Sequence, residues 1–237
     1  MNRNPNLQAA YAGYANLPAS MEADRQKVLR NTYWLLAVSM VPTVAGAWLG
    51  QALGLTWFQS NPFIGFLVFM GVAFGFFYAI EKNKNSGTGV ALLLGFTFFM
   101  GLMLSRMIGG VLNNYTNGGQ LIMMAFGGTA LVFFGMATLA SVIKRDVSGL
   151  GKWLMVGVIG LLIASVANIW LQLPALMLTV SILAIGIFSA LMLYDLKRVI
   201  DGGETNYVTA TLAIYLDVYN VFVHLLNILG IFGGERD

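Results

Sequence analysis

Two carboxylates carry the chemistry this chain can offer. Asp195 lies where a long apolar segment thins, in Leu193-Tyr-Asp195, and Asp217 lies inside the next apolar segment, in Ile214-Tyr-Leu-Asp-Val-Tyr-Asn220. Both belong to one helical hairpin, from about Leu173 to Phe232, joined by a short polar link that ends at Asn206. An acid near the middle of a lipid-spanning helix costs roughly 2.5–3.5 kcal/mol on insertion scales, and such acids usually mark ion or proton pathways. Asp217 is either a structural acid bonded inside a bundle or a proton- or cation-responsive group, and we read it as the second. Asp195, near a helix end beside Lys197 and Arg198, reads equally well as a solvated acid when taken alone. The pair matters more than either member. With helix ends at Gly202 and Asn206, the two differ in depth by roughly 6 Å at 1.5 Å per residue, a gap that tilt and side-chain reach can close. Carboxylates in contact share a proton and titrate as a unit.

Asp217 has polar neighbours on its own helix. At 100° per residue, Asn206, Ala210, Ala213, Asp217, Asn220, His224 and Asn227 fall on one stripe, while the rest of the segment is Leu, Ile, Val, Phe and Tyr. A small and polar stripe on an apolar helix must face protein or water. The last helix is therefore expected at the centre of a bundle, surrounded by the others. Asn220 and His224 are the possible supports of the acid. His224 reads either as a proton relay or as a bundle histidine bonded to a neighbour. Arg106 reads either as a cation snorkelling to the outer interface or as a counter-ion to an acid in the bundle. Tyr194, Tyr215 and Tyr219 read as packing or hydrogen-bond partners.

The elements that must position these groups follow from composition. The chain has 237 residues, 58% hydrophobic and only 10% charged, with a mean hydropathy of +0.75. Soluble domains carry about 25% charged residues, so this is a polytopic membrane protein. Spans of about 20 residues with short loops fit seven. They are expected at about Thr32–Leu53, Pro62–Ile80, Gly89–Leu112, Gln120–Ile143, Trp153–Leu171, from Pro174 to near Asp195, and Tyr207–Ile231. Pro42 should kink the first, and Pro62 opens the second at a favoured position. Gly71 and Gly75, four apart, are spaced for close helix approach or for ordinary packing. No internal repeat supports an inverted-repeat transporter.

Residues 1–26 are expected as a mobile cytoplasmic tail and 27–237 as the membrane domain. Ser20 is placed to cap a helical lead that runs into the first span. Glu22 and Asp24, with no preceding apolar core, argue against a cleavable signal. Eleven of the thirteen Lys and Arg fall in the tail and the second, fourth and sixth loops, whereas the first, third and fifth loops have none. Positive residues stay cytoplasmic, so the N-terminus is expected inside and the C-terminus outside. The pI of 9.2 follows from this bias and not from nucleic-acid binding.

Enzymatic readings are poorly supplied, and no catalytic residue is assigned. There is no cysteine and one histidine, which excludes thiol chemistry, disulfides and multi-histidine metal sites. No His-Glu-x-x-His, Gly-x-Ser-x-Gly or phosphate-loop motif occurs. Every lysine lies in a loop or at its edge, so a retinal Schiff base is excluded. An aspartyl intramembrane hydrolase would use two acids, but the Gly-x-Gly-Asp context is missing.

Several stretches, in order, carry a resemblance: Lys27-Val-Leu-Arg-Asn-Thr-Tyr33, Gly101-Leu-Met-Leu-Ser105, Gly127-Gly-Thr-Ala-Leu-Val-Phe-Phe134, Ala167-Asn-Ile-Trp-Leu-Gln-Leu-Pro-Ala-Leu176, Gly202-Gly-Glu-Thr-Asn-Tyr207 and Ile214–Asn220. With them the chain resembles the transmembrane Bax-inhibitor-motif family, most closely its bacterial YccA-like branch. The resemblance implies an all-α membrane protein of seven helices with the last enclosed by the other six. It implies residence in the bacterial inner membrane and a pH-sensitive leak of calcium or another cation, governed by an acid pair matching Asp195 and Asp217. Ca2+ would then pass near that pair, and no resident cofactor is implied. For the YccA-like branch it implies instead binding to and restraint of the membrane AAA protease FtsH, for which residues 1–26 look like a handle. Family members often have proline where Arg106 stands, and the second span lacks an arginine that some place near the acids.

Overall fold

A computed structural model describes residues 19–54 and 62–235. Among them are seven α-helices and no strand: α1 Ala19–Ala52, α2 Pro62–Asn83, α3 Gly87–Asn114, α4 Gly118–Val142, α5 Leu150–Leu171, α6 Pro174–Ile200 and α7 Tyr207–Gly233. All seven are long and apolar enough to cross a membrane. The lead expected from Ser20 is part of α1, which runs unbroken into the first span and through Pro42. The first eighteen residues of the expected tail, and most of the first loop, lie outside the described residues.

One boundary differs from expectation. The sixth segment does not end near Asp195 but continues five residues further, to Ile200. Charged side chains there obscured the helix in the sequence, yet Lys197 bonds to Asp201 one turn on, at 2.7 Å, the favourable spacing on a helix surface. The true stop is Gly202, at φ +78°. The Gly203 N–H donates to the Arg198 carbonyl at 2.8 Å and the Gly202 N–H to the Val199 carbonyl at 3.2 Å. That is a Schellman termination, which needs a residue without a Cβ. It is also crowded: a Cβ at Gly202 would collide with the Arg25 guanidinium of α1. α7 then begins at a full cap, with the Asn206 side-chain oxygen Oδ1 accepting from the N–H groups of Val208 and Thr209. The Asn206 amide nitrogen reaches across to the Lys84 carbonyl and to Asn85, fixing the α6–α7 link to the α2–α3 turn.

The helices pack unequally around α7. It lies against α6, α4 and α1, and touches α3 and α2 more narrowly, whereas α5 packs on α6. No residue of α7 from Tyr207 to Gly230 is exposed. The expected glycine contact is elsewhere: a Cβ at Gly71 or Gly75 would meet nothing within 4 Å. The close approach is between α1 and α3, where a Cβ at Gly46 would strike the Phe98 carbonyl and one at Gly101 the Thr43 carbonyl. Small residues let backbones meet in a membrane, where dispersion and polar contacts replace the hydrophobic drive.

Candidate functional site

Asp217 is 4% exposed, in the interior of α7. Its carboxyl group lies close enough to that of Asp195 on α6 for the two to interact directly. Asp195 is five residues from the end of its helix and Asp217 ten from the start of its own, which on a straight count separates them by roughly 7.5 Å along the axis. The antiparallel arrangement closes the gap. Each Cα–Cβ bond leans toward its helix N-terminus, so Asp195 leans away from the link and Asp217 toward it, each into the space between them. A hydrogen bond between two carboxyl groups needs a proton on one of them.

The rest of the surroundings are asymmetric. Asp195 has a second contact, Arg198 Nη1 at 3.7 Å, and the other end of that guanidinium lies 3.6 Å from Glu204. Arg198 also sits 5.6 Å over the Tyr194 ring. Asp217 has no such second partner: its Oδ2 is buried without a hydrogen bond among the described residues. Buried polar atoms are nearly always paired.

Beyond the pair, α7 is held by tyrosine hydroxyls. Tyr215 Oη lies 2.9 Å from Thr43 Oγ1 of α1 and 3.4 Å from the Thr97 carbonyl of α3, and Tyr219 donates to the Met100 carbonyl at 3.3 Å. The expectation of hydrogen-bonding tyrosines is met at both positions. These contacts tie the acid-bearing helix to the α1–α3 crossing.

The supporting residues are not gathered round the acids. Asn220 donates to the Leu216 carbonyl of its own helix at 2.8 Å. His224 Nδ1 is 3.2 Å from Ser181 Oγ of α6, and its ring stacks on Phe188, so it takes the bonded-neighbour role. Arg106 is exposed and lines a cleft of about 420 Å³ near the other ends of α3 and α7, together with Asn227. It forms no ion pair among the described residues, and the cation at the acid pair is Arg198. The reading of Arg106 as counter-ion to the bundle acids is thereby corrected. Arg106 is nineteen residues, or about 28 Å of helix, from the α3 start at Gly87, the end nearer the acid pair. Arg198 and Glu204 are the members that sequence reasoning left out, although Glu204 follows Arg198 by just six positions across a glycine turn. No group of three His, Cys, Asp or Glu that could hold a metal ion occurs among the described residues.

A 41% identity over 206 residues, covering 86% of this chain and 90% of the relative, links it to the Escherichia coli K12 protein named Modulator of FtsH protease YccA. The same identity and coverage hold for the protein named Inner membrane protein YccA in E. coli O6:H1. An uncharacterized protein of Neisseria meningitidis serogroup A is 38% identical over 213 residues, 89% of this chain and 93% of its own length. The family described as Inhibitor of apoptosis-promoting Bax1 matches residues 25–234. On this match, which takes in all seven helices, the chain belongs to the Bax inhibitor family of membrane proteins.

Proposed function

We propose that this protein is a pH-responsive leak for calcium or another cation in the bacterial inner membrane, with Asp195 and Asp217 as its sensor and gate. The observation that carries the reading is the approach of two carboxyl groups on two antiparallel helices, with Asp217 only 4% exposed. The proton in that contact is the switch. While present, it joins α6 to α7. Its loss replaces a hydrogen bond with repulsion between like charges in a low-dielectric interior, which biases one helix against the other. The free Oδ2 offers an acceptor to a proton or passing cation. The Arg198–Glu204 pair beside Asp195 supplies an exchangeable counter-charge at the linker end. The eleven Lys and Arg of the tail and the second, fourth and sixth loops favour a cytoplasmic N-terminus and a periplasmic C-terminus. The chemistry is conduction, and no step in it is enzymatic.

The test is calcium flux into proteoliposomes across pH 5–8 for the parent and for Asp217→Asn. The parent should show one transition in flux with pH, and the amide variant, which cannot ionise, should show none. A variant that keeps the parental pH profile would reject the assignment.

A second reading rests on a separate observation, the 41% identity to a protein named as a modulator of FtsH protease. In it, the chain binds FtsH and restrains it, with residues 1–26 as the gripped segment. Deleting residues 2–20 should then weaken copurification with FtsH and change the protein's half-life. Copurification and half-life indifferent to the deletion would remove this role and leave the leak untouched.

A further inference from the structure

The cleft at the other end of the molecule has no place in either reading. Arg106 lies within α3 and is the one described Lys or Arg beyond the tail and the three basic loops. α3 has 28 residues, roughly 42 Å of helix, against a hydrocarbon core of about 30 Å. It therefore overhangs by roughly 6 Å at each end if centred. The Arg106 backbone, about 12 Å from the helix terminus, then sits just inside the hydrocarbon, and its long side chain can snorkel to the phosphate layer. Met103, Met177 and Ile231 line the apolar part of the cleft, and Asn114 and Asn227 add amides to its lining. A cation at that depth with no carboxylate partner among the described residues needs an anion that carries its own apolar body.

We infer that this cleft binds the phosphodiester headgroup of an anionic phospholipid, with Arg106 gripping the phosphate, Asn114 and Asn227 facing the glycerol or headgroup oxygens, and an acyl chain lying along Met103, Met177 and Ile231. Guanidinium recognises phosphate through paired N–H donors, and basic pockets between membrane helices suit anionic headgroups. A free phosphate shares the charge but lacks the chain that the methionine side accommodates.

The experiment is native mass spectrometry of the full-length protein released from vesicles of equal phosphatidylglycerol and phosphatidylcholine content with matched acyl chains. The parent should retain phosphatidylglycerol about fivefold over phosphatidylcholine, as one charge near the interface supports. Arg106→Gln should bring that ratio close to one, while Arg106→Lys should keep most of it and Asn227→Leu should lower it partially. Lys144→Gln, at the opposite end, should leave it unchanged. Retention unaltered by Arg106→Gln in a protein of parental melting temperature would overturn the proposal. So would loss of retained lipid on adding inorganic phosphate at millimolar concentration, which would assign the site to a free anion, or a fall in retention with Lys144→Gln equal to that with Arg106→Gln.

Discussion

Helices α7 and α5 are both long apolar rods, yet they treat their side chains in opposite ways. α7 carries an acid, a histidine and two asparagines in its interior and exposes no residue from Tyr207 to Gly230. α5 is almost wholly apolar and has one buried residue, Leu161, with Trp153, Val156 and Ile163 more than 60% exposed. In water the more apolar helix would be the buried one. In a bilayer the lipid tails accept Leu and Ile as readily as a protein core does, so apolarity no longer selects the interior. Polar groups do. The helix that lipid tolerates least is the one with no exposed residue from Tyr207 to Gly230, packed chiefly on α6, α4 and α1.

That comparison can be broken most sharply by truncation. Ile214 in α7 is 0% exposed and Ile163 in α5 is 64% exposed. Ile214→Ala should cost about 2 kcal/mol or more, since it opens a void in close packing, whereas Ile163→Ala should stay within about 0.5 kcal/mol. Thermal unfolding in one detergent would compare them, and equal losses would mean that α7 is not held by packing. A smaller effect is expected from Tyr215→Phe, which removes the hydroxyl shared by Thr43 and the Thr97 carbonyl. A loss of about 1 kcal/mol is appropriate for one buried hydrogen bond, with a wider pH transition in flux if the hydroxyl also steadies Asp217 two residues on.

The least effect belongs to a turn far from α7. In the α4–α5 loop the Ser148 N–H and hydroxyl both donate to Asp146, at 2.8 and 2.9 Å, and these bonds hold its carboxyl below the usual range. A lowered folded-state value means the stabilisation is present above the unfolded value and is lost as pH falls through the folded one. Amide exchange at Ser148 should therefore lose protection only at strongly acid pH in the parent. In Asp146→Ala it should be unprotected throughout.

Much of this was legible in the sequence, because membrane spans are written in length and charge. The seven helices lie close to where hydropathy placed them, and the hairpin singled out Asp195 and Asp217, although their spacing left the contact between them open. Less visible were contacts that depend on backbone proximity. Gly46 and Gly101 carry no pattern that separates them from Gly71 and Gly75, since spacing along one helix says nothing of what faces it. The extension of α6 past Asp195 was hidden by Lys197 and Arg198, which read as loop although one pairs along the helix and the other bridges to Glu204. Arg106 was visible as an anomaly, but its separation from the acids required the length of α3.

The turn at Gly202 has a mechanical corollary. Arg25 abuts it, and α1 is one continuous rod from Ala19 to Ala52. Traction on the leading end of the chain would thus be delivered to the elbow between the two acid-bearing helices. On the proposals above, the described start of α1 and the elbow between the acid-bearing helices would then move together.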